Sequence, residues 1–174
     1  MLSETLQNKL NEQINAELFS AYLYQAMGAY FEATDLNGFA NWMDVQAQEE
    51  MTHARKIYDF VNERGGRVKL DSLDAPKNDW DSPLDAFEDA YEHEQKITGM
   101  INDLVDLAVA ENDHATNSFL QWFVDEQVEE EDSVDEIVQK LKMVGESGGG
   151  LFMVNNELNQ RTLAADDAQQ DSEN

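Results

Sequence analysis

Cysteine is absent from all 174 residues of this sequence. Without thiols the chain cannot form disulfides, a zinc ribbon or a cysteine-ligated iron–sulfur cluster, so these classes are excluded together. The absence says nothing about the cellular compartment, because many chains in every compartment lack cysteine.

Basic residues are also scarce: 11 Lys and Arg stand against 37 Asp and Glu, a net charge of −26. A nucleic-acid surface is excluded, because neutralising phosphates requires Lys and Arg. A strongly negative surface instead attracts divalent cations. Solubility or adaptation to high salt explains the acidity equally well, and that alternative stays open.

Long apolar runs are missing as well. The N-terminus is amphipathic and acidic, so we expect neither a signal peptide nor a membrane span, and we expect a cytoplasmic protein. The hydrophobic fraction of 41% is sufficient for one compact domain of this length.

Helix start and stop signals predict two long helices in the first part of the chain. Ser3 is a suitable N-cap for a helix of about thirty residues, which we expect to end in a polar turn containing the helix-stopping Gly38. A second helix of similar length is expected to end at Gly65 and Gly66.

The connector at residues 66–82 contains Pro76 and shows little periodicity, and Ser82 followed by Pro83 marks the start of the next helix. About fifteen extended residues at roughly 3.3 Å each reach about 50 Å, whereas a thirty-residue helix is about 45 Å long. The connector can therefore cross a whole bundle and make the second and third helices parallel. The short breaks near Asn37 and Asn112 predict antiparallel pairs.

The C-terminal part is shorter and more polar. The glycine-rich segment 145–150 is expected to end the fourth helix, and residues 151–163 to form a short fifth helix that packs on the bundle or on another chain. Its expected apolar contacts are Leu151, Phe152, Val154 and Leu158. We assign residues 1–163 to one domain and expect the acidic tail 164–174 to be disordered.

Apolar side chains recur at steps of three and four along each long helix, as on a face packed in a bundle. One glutamate interrupts this stripe near the midpoint of each helix: Glu17, Glu50, Glu94 and Glu130. His53 lies three positions after Glu50 and therefore on the same helical face. Because each carboxylate lies near a helix midpoint, the four meet at one height whichever way the helices run.

Each of these glutamates taken alone could be an ordinary solvated residue of an acidic chain. Four unpaired carboxylates converging in one core are strongly disfavoured unless they share a cation. A histidine one turn from a glutamate, facing three more glutamates, matches the ligand set of carboxylate-bridged di-iron and di-manganese bundles. The pattern therefore predicts an all-α four-helix bundle with an internal di-iron site.

At this level of detail the chain resembles the prokaryotic non-haem ferritins, over roughly residues 3–163. The resemblance rests on four segments: Asn15-Ala16-Glu17, Gln48-Glu49-Glu50-Met51-Thr52-His53, Glu92-His93-Glu94 and Phe123-Val124-Asp125-Glu126-Gln127-Val128-Glu129-Glu130. It implies the ferritin-like fold, with one long crossover and a short fifth helix.

The resemblance also implies roles for individual residues. The first iron would be held by Glu17, Glu50 and His53, and the second by Glu50, Glu94 and Glu130, with Glu50 bridging. Gln127 would hydrogen-bond near the oxygen that the centre binds, and Tyr24 would lie beside the centre as a possible electron donor. The family has a third, weaker iron position, which matches Glu49, Glu126 and Glu129, although these also fit solvated helix acids.

As a function, the resemblance implies a ferroxidase that oxidises Fe(II) to Fe(III) with O₂ or peroxide, each iron giving one electron. Hard carboxylates with one imidazole suit both oxidation states. The family stores the product as ferric mineral in a hollow homo-oligomeric cage of twenty-four chains. Neither haem, nucleic acid nor a membrane is an expected partner.

Three alternatives remain open at this stage. A haem-containing bacterioferritin would use Met51, but it also has a second Glu-x-x-His pair, and here Ser133 follows Glu130 by three positions. A di-iron oxidase or rubrerythrin-like peroxidase usually has two such pairs, and rubrerythrin adds a cysteine-ligated iron. A metal-free structural bundle would leave the acidic stripe solvated. His93 and His114 have no assigned role, with His93 expected at the surface or an interface, and Trp122 is expected to serve packing.

Overall fold

A computed structural model of the chain describes residues 2–145 and 147–163. Within these residues there are five helices and no strand: α1 (Glu4–Ala33), α2 (Asn37–Glu63), α3 (Pro83–Ala110), α4 (His114–Val144) and α5 (Gly148–Leu158). The all-α prediction is confirmed. None of the helices in these ranges is both long and apolar enough to cross a membrane. The predicted tail at residues 164–174 lies outside the described residues.

The first two helices form a hairpin whose turn differs from the prediction. The Ser3 hydroxyl caps α1 by accepting the Leu6 N–H at 3.0 Å, as expected. Gly38, however, does not end α1, and that prediction was wrong. The helix ends where Asp35 adopts a positive φ of 59°, and Gly38 lies in the first turn of α2. A Cβ on Gly38 would lie 1.7 Å from the Asn155 carbonyl oxygen, so α5 can dock only on a glycine.

The connector between α2 and α3 runs along the whole of α1, which confirms the predicted crossover. α2 ends at Glu63, so the connector spans residues 64–82, and Ser82 caps α3 as predicted. Successive α1 side chains meet it in the same order: Gln7 binds Arg67, Asn11 binds Arg67 and Lys69, Asn15 binds Asp71 and Ser72, and Tyr30 packs against Trp80. Because the connector runs in the same direction as α1, α3 starts at the same end of the bundle as α2, and these two helices are parallel.

The apolar core is divided into two clusters, one toward each end of the bundle. One cluster includes Phe31, Phe39, Phe87 and Val138. The other includes Leu6, Ile57, Leu104 and Leu120. The buried glutamates and glutamines lie between them, so the two apolar ends shield this polar layer from solvent along the bundle axis.

The fifth helix is displaced from its predicted position. It spans Gly148–Leu158 because the Ser147 hydroxyl caps it by accepting the Gly150 N–H at 3.3 Å, and this cap outweighs the low helix propensity of three glycines. Val154 and Leu158 are buried against the bundle and Leu151 is half-buried. Phe152 is 65% exposed and belongs to neither core cluster of the described residues, so its predicted apolar contact with the bundle was wrong.

Candidate metal centre

Seven side chains of the predicted centre lie inside the bundle, and each is at most 5% exposed. They come from all four long helices: Glu17 and Tyr24 from α1, Glu50 and His53 from α2, Glu94 from α3, and Gln127 and Glu130 from α4. The alternative of a solvated acidic stripe is therefore excluded for these positions. The steps of three and four residues place each group on the inward face of its helix.

Among residues 2–145 and 147–163, two groups of ligand atoms are close enough to hold an ion. One atom from each of Glu17, Glu50 and His53 lies within 4.8 Å of the others. A second group, with the same limit, combines His53 with Glu126 and Glu130. The first group is the ligand set predicted for the first iron. Glu94 belongs to neither group.

Glutamine amides hold the carboxylates in place. Gln13 donates to Glu17 at 2.8 Å, and Gln46 donates to Glu50 at 3.0 Å and to Glu130 at 2.6 Å. Sequence reasoning assigned no role to either glutamine. The signal was present, because each stands four positions before a stripe glutamate, a spacing that allows a side-chain hydrogen bond on a helix.

Glu94 is held separately by two groups. Its Oε1 accepts a hydrogen bond from the Tyr24 hydroxyl, and its Oε2 accepts one from Gln127 Nε2 at 3.2 Å. Each carboxylate oxygen has two lone pairs, so both oxygens can still coordinate a cation. Tyr24 and Gln127 therefore both contact one of the predicted ligands, and their roles in the reaction stay predictions.

The buried carboxylates are poorly compensated by protein charges. Burial raises the pKa of Glu17 well above its usual range, and the charge of Glu50 adds to the effect. Burial likewise raises the pKa of Glu50 and Glu130, with further contributions from neighbouring glutamates, and raises that of Glu94 despite its two hydrogen bonds. Ionising four such groups in one low-dielectric layer requires a cation.

Three buried side-chain atoms in the described part of the chain have no hydrogen-bond partner: Gln13 Oε1, Glu17 Oε2 and His53 Nε2. A buried imidazole nitrogen and a carboxylate oxygen left in this way are costly unless a ligand satisfies them. Carboxylate oxygens with one imidazole suit iron in both oxidation states. The donor set and the unsatisfied atoms therefore fit iron.

A family model described as "Ferritin-like domain" matches residues 7–144. The chain belongs to the ferritin family. It is 47% identical over 161 residues to a bacterial non-heme ferritin of Bacteroides fragilis strain 638R, covering 92% of this chain and 100% of that protein. It is 41% identical over 163 residues to a bacterial non-heme ferritin of Staphylococcus aureus strain USA300, covering 94% and 98%.

Solved ferritin structures agree in fold as well as in sequence. An engineered closed form of the ferritin of Archaeoglobus fulgidus superposes with a TM-score of 0.93 at 52% identity, covering 94% of this chain and 100% of that one. The open-pore ferritin of the same hyperthermophilic archaeon gives a TM-score of 0.92 at 53% identity, covering 93% and 99%. The ferritin-like four-helix bundle is thereby established for this chain.

The three residues predicted for a third iron position do not form one group in this ferritin. Glu126 is half-buried and joins His53 and Glu130, as described above. Glu49 is half-buried and forms an ion pair with Arg161 at 2.5 Å, and Glu129 is exposed. The third position stays a prediction, and its best supported residue is Glu126.

The remaining residues singled out from the sequence lie around the centre. His93 is half-buried, and its Nε2 lies 2.7 Å from Ser20 Oγ. Burial, together with the charge of Lys96, lowers the pKa of His93 to about 4. Trp122 packs edge-on against the His53 ring, with centroids 5.4 Å apart. Met51 is 50% exposed, and His114 is exposed at the start of α4.

Proposed function

We propose that this ferritin is an iron-storage protein that oxidises Fe(II) at an intrasubunit di-iron centre. The observation that carries the proposal is the layer of buried Glu17, Glu50, His53, Glu94 and Glu130 inside one bundle. In the described part of the chain no Lys or Arg ion-pairs with these four glutamates, and the His53 ring lies 3.5 Å from Glu50, so substrate iron would supply the missing charge.

Glu17, Glu50 and His53 bind the first Fe(II) in this proposal, and Glu50, Glu94 and Glu130 bind the second. A bridging role for Glu50 is supported by its two oxygens meeting different partners. Oε1 faces Gln46 at 3.0 Å, and Oε2 faces His53 Nδ1 at 3.5 Å. Gln46 also donates to Glu130, so the proposed bridging carboxylate and one ligand of the second position share a hydrogen-bond donor.

In the proposed reaction each Fe(II) loses one electron and becomes Fe(III). One O₂ takes up the two electrons with two protons and leaves as hydrogen peroxide, or one peroxide takes them up with two protons and leaves as water. Tyr24 and Gln127 orient Glu94. The two irons supply both electrons of this reaction, so electron donation by Tyr24 is not needed for it and stays a prediction. The buried glutamates that hold protons in the iron-free chain release them when Fe(II) binds.

The proposal includes assembly into a hollow cage of twenty-four chains, in which residues 1–163 act as a single ferritin-like domain in the cytoplasm. Assembly is supported by large apolar side chains that the chain leaves exposed on α5, where Phe152 and Met153 are 65% and 72% exposed. Such residues are normally covered by a partner. The proposal includes no haem, so the purified protein is expected to lack a haem absorption spectrum.

The test is to add Fe(II) in air to the purified iron-free protein, in large excess over two per chain, followed by size-exclusion chromatography. Many irons per chain co-eluting in a cage-sized peak are the expected result. About two irons per chain in a small oligomer, with the excess precipitating, would replace storage with a di-iron oxidase. Absence of retained iron and of Fe(II) oxidation would overturn the proposal.

Two variants test whether Fe(II) oxidation takes place at this centre. Glu50→Ala combined with His53→Ala removes the two ligands on α2 and should abolish the rapid phase of Fe(II) oxidation. Asp125→Asn is the matched control, since it removes an exposed acid on α4 and should oxidise Fe(II) like the unmodified protein. Equal activity of both variants would contradict the assignment.

A further inference from the structure

Arg161, three residues beyond α5, reaches back to the inner part of α2. Its Nη2 donates to Gln46 Oε1 at 2.8 Å and to Glu49 Oε2 at 2.5 Å, and its Nη1 donates to the Trp42 carbonyl at 3.4 Å. The guanidinium carbon also lies 4.2 Å from the centroid of the Trp42 ring. Four contacts thus fix one side chain that is only 22% exposed.

The contact with Gln46 determines which way its amide faces. Gln46 is completely buried, and an amide offers its oxygen on one side and its NH₂ on the other. Because Arg161 takes the oxygen, the NH₂ group faces the centre and donates to Glu50 and Glu130. The opposite orientation would aim the amide oxygen at two carboxylates and its NH₂ at a guanidinium, and both contacts are unfavourable.

We propose that Arg161 is a positioning residue for iron binding, acting through Gln46 to hold Glu50 and Glu130 in the arrangement that accepts two Fe(II) ions. The inference rests on the proposed function. It extends the centre beyond the four-helix bundle, because the residue that sets the Gln46 orientation comes from the segment after α5 and lies 115 positions away in the chain. Preorganised ligands avoid the cost of rearrangement when the metal enters.

The docking of α5 explains why Arg161 arrives at this place. Asn41 Nδ2 donates to the carbonyl oxygens of Leu158 at 3.2 Å and of Arg161 itself at 3.1 Å. At the other end, the Asn155 side chain accepts the Gly38 N–H at 2.9 Å. These contacts hold the backbone around Arg161 on α2, so the guanidinium is carried to Gln46 by the fold and not by a flexible tail.

A simpler role for Arg161 would be an ion pair with Glu49 that ties down the C-terminal segment. The two roles differ in one measurable respect. A tether acts independently of Gln46, whereas a positioning residue has no effect once Gln46 is gone. A double-mutant cycle between Arg161 and Gln46 separates them.

The experiment uses the full chain and Co(II), a divalent ion whose visible absorption reports its ligand geometry and which air does not readily oxidise. Co(II) affinity and the initial rate of Fe(II) oxidation are measured for the unmodified protein, Arg161→Ala, Gln46→Ala and the double variant. Lys140→Ala is the matched control, because Lys140 ties α4 to α5 by binding Glu157 at 2.6 Å and makes no contact with Gln46.

The expected result is a loss of about tenfold in Co(II) affinity for Arg161→Ala, within the range known for groups that orient metal ligands. Its Co(II) spectrum should change, and the same substitution in the Gln46→Ala background should change affinity by less than about twofold. Lys140→Ala should match the unmodified protein in both readouts, even if its melting temperature falls as far as that of Arg161→Ala.

Two other results would overturn the inference alone. The first is that Arg161→Ala binds Co(II) as tightly as Lys140→Ala does. The second is that Arg161→Ala loses the same amount of Co(II) affinity whether residue 46 is Gln or Ala. If the unmodified protein neither binds Co(II) nor oxidises Fe(II), the proposed function fails and this inference fails with it. Thermal unfolding of each variant separates a local effect at the centre from a failure to fold.

Discussion

Tyr24 and Glu94 are joined by a hydrogen bond that crosses the bundle from α1 to α3, with the tyrosine hydroxyl as donor. Both side chains are almost completely buried, and burial followed by the Glu94 charge raises the pKa of Tyr24 well above its usual range. The phenol therefore keeps its proton and remains a donor at all physiological pH values. Gln127 holds the other oxygen of Glu94, so this ligand is oriented from two sides.

Tyr24→Phe removes one of these two supports while keeping the aromatic ring. We expect Fe(II) still to bind but its oxidation to slow by about 10- to 100-fold, because a hydrogen bond to a charged group contributes about 1.5–3 kcal/mol. Stopped-flow absorbance under limiting iron measures the initial rate. Tyr91→Phe, the same change on a half-buried tyrosine of α3, is the control. Equal rates for the two variants would contradict the role of Tyr24.

Local periodicity explains why the buried positions of the four glutamates could be predicted from the sequence. An inward face follows from helix geometry alone, so Glu17, Glu50, Glu94 and Glu130 could be placed without knowing the neighbouring helices. The crossover followed from connector length. Contacts between distant segments carry no such local signal. Neither the Gly38 contact with α5 nor the reach of Arg161 to Gln46 is visible in the sequence around either partner.

Glu50→Gln should stabilise the iron-free protein. Burial, and after it the Glu94 charge, raises the pKa of Glu50. At a pH above the ordinary pKa of a glutamate, the buried carboxyl therefore costs the folded state free energy that the unfolded state does not lose. Removing the charge should therefore increase the free energy of unfolding at neutral pH. Urea unfolding of iron-free protein measures it, and Asp125→Asn, on the exposed surface, should change little.

The pH dependence provides a second check on Glu50. A raised pKa means that the folded state binds more protons than the unfolded state, so the stability of the iron-free protein should fall as pH rises above the ordinary carboxyl range. Glu50→Gln should make this slope shallower. A slope that is unchanged in the variant would show that Glu50 does not titrate as its burial predicts.

Gly38→Ala should displace α5, because the added Cβ would lie 1.7 Å from the Asn155 carbonyl oxygen. Backbone cannot move aside as a flexible side chain does, so we expect a loss of about 2 kcal/mol or more, typical of overpacked sites. Gly99→Ala is the matched control inside α3, since nothing lies within 4 Å of its Cβ position. That change should stabilise the protein by about 0.5–1 kcal/mol, because alanine is the better helix former. Thermal unfolding and limited proteolysis near residue 150 distinguish the two variants.

Asp113→Asn tests the contact that joins the end of α2 to the start of α4. Burial alone would raise the pKa of Asp113, but hydrogen bonds from Arg64 and Thr116 outweigh it and lower the pKa to about 2 from an ordinary 3.8. Asparagine still caps α4, so the variant isolates the ion pair, and we expect a loss of about 1 kcal/mol at neutral pH. Because the pKa is lowered, this contribution is complete above the ordinary pKa and disappears as pH falls through about 2. Asp59→Asn is the control, because it removes the more exposed ion pair with Arg55 and should cost only about 0.3–0.5 kcal/mol. If the stability difference between Asp113→Asn and the unmodified protein persists below a pH of about 2, the ion pair is not its cause.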